Sequence, residues 1–273
     1  MSEIRIGSDS IIVKSEYFDA KDTLECGQLF RYKLLRDGAY EVLSCDKRCL
    51  IKTDGGITTI KTNELDYFYR YFDLDTDYGA LTLDLQKYDE LKQPLNKSKG
   101  IHILKQDLFE TVISFIISAN NNIPRIQGII ERLCEGYGQR MDGFYAFPAL
   151  SSLKDVTASD FKSMGAGYRA EYLRHSVLAL LDSDLLITLP KQDYDGAVRA
   201  LLTLKGVGRK VADCIALFGL GLTECYPVDT WILQADGIDG DTADSVRKRG
   251  MERYGRLAGF AQQYRFYWKR GLG

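Results

Sequence analysis

The sequence predicts an α+β fold: an N-terminal antiparallel β-sheet domain over residues 1–100, then a larger all-helical domain over 101–273 that contains a tight helical hairpin. Three observations carry this expectation. Apolar and polar residues alternate with period two through the first third of the chain. From about Gln106 onward the apolar spacing becomes helical. Two glycines one residue apart, Gly206 and Gly208, then end one helical segment and start the next.

In the strand region, Phe30, Tyr32 and Leu34 alternate with Arg31 and Lys33, and Asp37-Gly38 gives a hairpin turn before Ala39-Tyr40-Glu41-Val42-Leu43. Leu50-Ile51-Lys52-Thr53 and Ile57-Thr58-Thr59-Ile60 flank a second turn, Asp54-Gly55-Gly56, so the sheet is expected over residues 3–62. Leu65 to Tyr71 is aromatic-rich and fits either helix or strand. Leu108, Val112, Phe115, Ile116 and Ala119 fall at helical spacing, and Ile126, Ile129, Ile130 and Leu133 follow in a second helix. Pro148, Pro190 and Pro227 fall near element boundaries. The chain has no internal repeat and no low-complexity linker.

Composition narrows the class. With 273 residues, 45% apolar and 27% charged, the chain can bury a full core. A net charge of −2 speaks against coating DNA by bulk electrostatics, yet leaves room for a local anion site of backbone N–H groups and a few arginines. The six cysteines are scattered and no signal peptide precedes them, so reduced thiols are expected. Cys45 and Cys49 form the only close pair, and with His102 and His175 as the only histidines no zinc site is expected. The closing Gly271-Leu272-Gly273 follows no run of four spaced cysteines, so no iron–sulfur cluster is expected either. Neither a metal nor a cofactor is called for. No apolar run is long enough to span a bilayer, and an intracellular, cytoplasmic protein is expected.

The densest chemical signal is Leu204-Lys205-Gly206-Val207-Gly208-Arg209-Lys210-Val211-Ala212-Asp213, followed downstream by Tyr226-Pro227-Val228-Asp229. A Gly206-Val207-Gly208 hairpin directs backbone N–H groups and a positive helix end toward one point, which suits a phosphate. Lys210 opens the second helix, with Cys214 and Leu217 on its stripe and Val211, Ile215, Phe218 and Leu222 on the neighbouring apolar face. The helix end and Arg209 both favour the neutral amine, which can attack an electrophilic sugar carbon and form a Schiff base. The structural alternative is that Lys210 only contacts phosphate. Asp229 reads as a helix N-cap, and the same placement keeps it ionised to stabilise positive charge on a sugar as its base departs. Cys214 reads either as a small buried residue or as one wall of a base pocket.

Two further segments are polar beyond what a turn requires. Asn120-Asn121-Asn122, followed by Arg125, ends the helix that begins near Leu108. Gly165-Ala166-Gly167-Tyr168-Arg169 presents an aromatic and an arginine from a glycine-flanked turn. Such a pair can wedge into a base stack and bond the orphaned partner base; the alternative is a helix cap with a solvated arginine.

Together these segments resemble the 8-oxoguanine DNA glycosylase/AP lyase family of the helix-hairpin-helix glycosylase superfamily. The resemblance rests on Gly27-Gln28-Leu29-Phe30-Arg31, Ser118-Ala119-Asn120-Asn121-Asn122-Ile123-Pro124-Arg125, Gly167-Tyr168-Arg169, Gly206 through Cys214, Pro227-Val228-Asp229 and Gly259-Phe260-Ala261-Gln262-Gln263. It implies that Lys210 is the Schiff-base nucleophile and Asp229 the essential aspartate. It further implies that the Gly27 carbonyl detects the N7 hydrogen of 8-oxoguanine, that Cys214 and Phe266 sandwich the flipped base, and that Gln262 meets its Watson–Crick edge. Asn120, Arg125 and Arg169 are implied to hold the estranged cytosine, with Tyr168 as the wedge and Gly206, Val207 and Gly208 on phosphate. The chain departs from the family pattern at Trp231, where eukaryotic members carry histidine, at Leu29, where serine is usual, and in the glycine- and aspartate-rich stretch from Gln234 to Arg249.

The implied function is excision of 8-oxoguanine, paired with cytosine, from double-stranded DNA, followed by strand cleavage through β-elimination, by a monomer near the nucleoid of a bacterial cell. Two alternatives differ in what they need. A monofunctional alkylpurine glycosylase of the same fold would keep Asp229 without needing Lys210. A non-catalytic helix-hairpin-helix DNA-binding module would need neither Asp229 nor the pocket set of Gly27, Cys214, Gln262 and Phe266.

Overall fold

Alternating side chains in the first third produce a six-stranded sheet in the computed structural model, which describes residues 3–271. Leu272 and Gly273, on which part of the C-terminal cysteine reading falls, lie outside the described residues. The strands are β1 (Glu3–Ile6), β2 (Ser10–Lys14), β3 (Tyr32–Leu34), β4 (Tyr40–Ser44), β5 (Lys47–Asp54) and β6 (Ile57–Lys61), in the spatial order β1-β2-β6-β5-β4-β3. Antiparallel registers bring Ile60 opposite both Ile11 and Ile51. Those three side chains, with Val13 and Val42, are buried on one face, whereas Ile12, Leu50 and Ile57 on the other stay exposed. The expected strand pairs on either side of Asp37-Gly38 and Asp54-Gly55-Gly56 are present.

Helices cover the remainder: α1 (Ala20–Glu25), α2 (Leu65–Tyr71), α3 (Tyr78–Leu85), α4 (Lys92–Lys97), α5 (Leu108–Ser118), α6 (Ile123–Tyr137), α7 (Ala158–Ser163), α8 (Arg169–Leu181), α9 (Leu185–Thr188), α10 (Tyr194–Leu201), α11 (Arg209–Leu220), α12 (Thr230–Asp236), α13 (Ala243–Tyr254) and α14 (Ala258–Arg270). The ambiguous Leu65–Tyr71 segment is helical. Phe68, Tyr71 and Phe72 bury against Ile11, Ile51 and Ile60, so packing onto the sheet decides what local propensity left open. α1 interrupts the strand region: Asp19 caps it by accepting from Asp22 N at 2.9 Å, a signal the period-two pattern did not carry.

Contacts divide the chain into two units. The first comprises Met1–Val42, Arg48–Lys105 and Thr223–Gly273; the second comprises Leu43–Lys47 and Gln106–Leu222. This division is discontinuous, whereas the sequence suggested a linear one at residue 100. Long-range bonds explain the course of the chain within the first unit. Gln263 Nε2 donates to the Cys26 carbonyl at 2.8 Å, Tyr264 Oη to that of Ile101 at 3.2 Å, and Arg265 Nη1 to that of Glu90 at 3.0 Å. Within the second unit, α11 packs along α5, where Phe218 and Phe115 stack with centroids 5.6 Å apart. Among the described residues no helix is long and apolar enough to cross a membrane.

Candidate active site

In the second unit the hairpin is built by α10 and α11. Their connection tightens through Leu204 N to Leu201 O and Val207 N to Leu204 O, both at 3.1 Å. Gly206 takes φ +88°, and a Cβ there would lie 2.6 Å from Tyr172, so a side chain is excluded by both conformation and space. Gly208 is the N-cap of α11 and no side chain caps that helix, which leaves its first turn to an outside acceptor. A triad of buried Tyr194 and Asp213 with half-buried Arg209 locks α10 to α11: Tyr194 Oη donates to Asp213 Oδ1 at 2.7 Å, and Arg209 reaches Tyr194 Oη at 2.6 Å and Asp213 Oδ1 at 3.3 Å. Burial, then the Asp213 charge, raises the Tyr194 phenol well above its usual range and keeps the donor protonated.

Lys210 lies half-buried in the first turn of α11, its Nζ 5.5 Å from the centroid of the Phe115 ring. Cys214, one turn on, is buried, as are all the residues from Val211 to Phe218. The helix is therefore covered nearly all round beyond its first turn, where the sequence suggested two distinct faces, and Leu222 lies past its Gly221 C-cap.

Each of the three asparagines has a local task. Asn121 Nδ2 closes α5 by donating to Ile117 O at 3.1 Å, and Asn122 caps α6 by accepting from Arg125 N at 3.0 Å. Asn120 adopts φ +49°, a conformation asparagine tolerates better than most residues, and its side chain is exposed. Arg169 holds this turn, with Nε on Ala119 O and Nη2 on Asn120 O, both at 2.6 Å. It is buried rather than solvated, and its guanidinium lies 4.4 Å from the centroid of the Tyr168 ring. Tyr168 is 54% exposed. Arg125, exposed, donates to Gly165 O at 3.2 Å. Asn120, Arg125, Tyr168 and Arg169 are thus brought together on one pair of turns. Tyr172 was missed by the sequence reading: it meets Tyr168 edge to face at 5.8 Å and backs Gly206.

In the first unit, Gly27 follows α1 at φ +89°. A Cβ there would meet Phe266 Cε1 at 3.2 Å and Arg270 Nη1 at 2.8 Å, so the Gly27 backbone lies directly against α14. Gln28 pins the same turn, donating to Thr23 O at 2.9 Å and His102 O at 2.8 Å while accepting from Leu104 N at 2.9 Å. The neighbouring Cys26 thiol is pushed up to about 12 by burial and stays uncharged. Leu29 is buried in the apolar cluster, which accounts for an apolar residue at that position. Gln262, one turn before Phe266 on α14, is 5% exposed, and its buried Oε1 has no hydrogen-bond partner among the described residues. Asp229 is the N-cap of α12, accepting from Ile232 N at 2.9 Å through Oδ1. Trp231 is half-buried on α12. Three aspartates of the glycine- and aspartate-rich stretch are engaged by arginines, Asp236 by Arg265, Asp241 by Arg249 and Asp244 by Arg247.

The sequence profile of the 8-oxoguanine DNA glycosylase N-terminal domain matches residues 10–112. A solved structure of the Clostridium acetobutylicum 8-oxoguanine glycosylase/lyase, in complex with duplex DNA containing cytosine opposite 8-oxoguanine, superposes with a TM-score of 0.93. It is 36% identical, covering 100% of this chain and 98% of that one. The "Probable N-glycosylase/DNA lyase" of Methanothermobacter thermautotrophicus is 34% identical over 74% of this chain and 73% of its own length.

The chain belongs to the 8-oxoguanine DNA glycosylase family.

Not every family member is of similar length. The chain spans 54% of the N-glycosylase/DNA lyase of Arabidopsis thaliana, to which it is 36% identical over 66% of its own residues. In family terms, the first unit carries Gly27, Asp229, Gln262 and Phe266, and the second carries Lys210, Cys214, the hairpin and the Asn120–Arg169 turns. Among the described residues no group of three histidine, cysteine, aspartate or glutamate side chains could hold a metal ion.

Proposed function

We propose that this chain is a bifunctional DNA N-glycosylase/AP lyase that removes 8-oxoguanine paired with cytosine and then nicks the strand. One observation carries the substrate: the buried Gln262 Oε1 has no hydrogen-bond partner among the described residues. A buried acceptor left unmade costs about 1–3 kcal/mol, a cost that a donor on a bound base would relieve. The N1–H and N2–H groups on the Watson–Crick edge of a guanine-type base are such donors. Phe266, on the same helix, offers the base a planar face. The Gly27 carbonyl would accept from N7–H of the oxidised base, whereas undamaged guanine presents a lone pair there and opposes it.

The base must leave the stack to be read in this way. The Lys210 amine then attacks C1′ of the sugar, the N-glycosidic bond breaks, and the departing base takes the bonding pair and a proton. Ring opening gives an imine between Nζ and C1′. Loss of a C2′ proton expels the 3′ phosphate oxygen, and water finally releases Lys210. The Asp229 carboxylate stabilises the positive charge that develops on the sugar. Asn120, Arg125 and Arg169 would hold the estranged cytosine, Tyr168 would fill the gap beside it, and the Gly206-Val207-Gly208 turn would grip a phosphate. All these residues lie on one chain, which supports action as a monomer. A DNA substrate supports a location beside the DNA of its cell, for which we propose the nucleoid of a bacterial cytoplasm.

Borohydride trapping on a duplex with one 8-oxoguanine opposite cytosine tests the reading, with Lys210→Gln in parallel. A covalent adduct that vanishes in the variant is the expected result. Base release without an adduct would reassign the chain as monofunctional, and neither adduct nor release would overturn the substrate.

A further inference from the structure

Two donors on α14 take the two main-chain carbonyls that come just before Gly27. Gln263 Nε2 donates to Cys26 O at 2.8 Å, and Arg270 Nη2 donates to Glu25 O. Residues seven apart leave a helix on one face, and Phe266 lies between them. The Arg270 guanidinium also lies 5.3 Å from the centroid of the Phe266 ring. Its Nη1 is the atom that a Cβ on Gly27 would meet at 2.8 Å. One side chain therefore touches the carbonyl two residues ahead of Gly27, Gly27 itself and the aromatic ring.

We propose that Arg270 is a positioning residue that fixes the direction of the Gly27 carbonyl and so sets discrimination between 8-oxoguanine and guanine. The inference rests on the base reading given above. A glycine at φ +89° has little steric resistance to rotation of its peptide planes, so its carbonyl points where its neighbours are held. Direction is what the discrimination needs. A fixed acceptor lines up with N7–H of the lesion and confronts the N7 lone pair of guanine. An acceptor free to swing aside loses the repulsion against guanine before it loses the contact with 8-oxoguanine. The chemistry at Lys210 does not pass through this turn, so a nick at a preformed abasic site does not depend on Arg270.

Arg270→Met keeps an unbranched stem against Phe266 and deletes the donors, and Arg270→Lys returns one of them. On the Lys210→Gln background, duplex binding is measured for 8-oxoguanine against guanine opposite cytosine. With Lys210 intact, borohydride trapping is measured on preformed abasic duplex. The expected result is a binding ratio reduced about tenfold in Arg270→Met and partly restored in Arg270→Lys, with abasic trapping unchanged. A ratio equal to that of the parent, or an equal loss in abasic trapping, overturns the inference alone. A parent that neither releases 8-oxoguanine nor prefers it in binding overturns the base reading, and this inference with it.

Discussion

Arg169 Nη2 donates to the carbonyl of Asn120 at 2.6 Å, from 49 positions away, and so holds a residue whose φ of +49° few side chains accept. With Nε on the Ala119 carbonyl, the guanidinium shapes the turn on which the implied cytosine contacts stand. Arg169→Leu would fill the space and leave both carbonyls without their charged donor. Denaturation is expected to show a loss of about 2–3 kcal/mol. Excision opposite cytosine should fall further than excision opposite other bases. An unchanged opposite-base preference would confine Arg169 to a structural role.

Asp229→Asn separates capping from charge. Asparagine caps helices as well as aspartate, so the bond to Ile232 N survives and stability should stay within about 0.5 kcal/mol. Loss of the carboxylate should lower single-turnover base release by about a hundredfold or more. A rate equal to the parent's would leave Asp229 as a cap and nothing else.

Gln262→Met is expected to move stability and activity in opposite directions. The variant deletes a buried oxygen without a partner and keeps the volume, so the free protein should melt at a higher temperature, by the equivalent of about 1 kcal/mol. Excision of 8-oxoguanine should fall while trapping on abasic DNA persists. A lower melting temperature would mean that Oε1 is satisfied in the free protein.

His102 sets an acid limit on the first unit. Its ring is buried, stacks on Tyr78 at 3.6 Å, and lies 2.8 Å from the Phe72 carbonyl through Nδ1. Burial lowers its pKa to about 3. Between that value and the ordinary histidine value the unfolded chain binds more protons than the folded one, so stability rises with pH across this window. It is fully present above about 6.5 and is lost as pH falls toward 3, on the order of a few kcal/mol. Urea titrations at pH 7 and pH 4.5 should show the loss, and His102→Gln should flatten the slope between them.

The sheet was legible because one face of it is buried: Ile11, Ile51 and Ile60 force the period that the sequence displays. The hairpin was legible for a different reason, since only glycine fits at Gly206 against Tyr172. Helix α1 and the helical state of Leu65–Tyr71 were not legible, because a side-chain cap at Asp19 and burial against the sheet decide them. Among the candidate site residues, Lys210 and Asp229 stand out as residue types at element starts. Tyr172 and Arg270 did not, and nor did the bond from Gln263 to Cys26, because these act on main-chain atoms and rings distant in sequence, which no local spacing encodes. Nor does spacing reveal that Arg169 is buried, for a guanidinium beside a glycine turn reads as solvated until the carbonyls it serves are known.

The contact from Gln263 to Cys26 closes over 237 positions, and that from Arg270 to Glu25 over 245. On the ribosome, the stretch from Gln106 to Leu222 emerges without interruption and can complete its own unit early. The turn at Gly27 must wait for α14, roughly 10–50 seconds at ordinary rates of synthesis. On the proposed reading, a nascent chain would possess its amine-bearing hairpin before α14 arrives to set the turn that tells one purine from another.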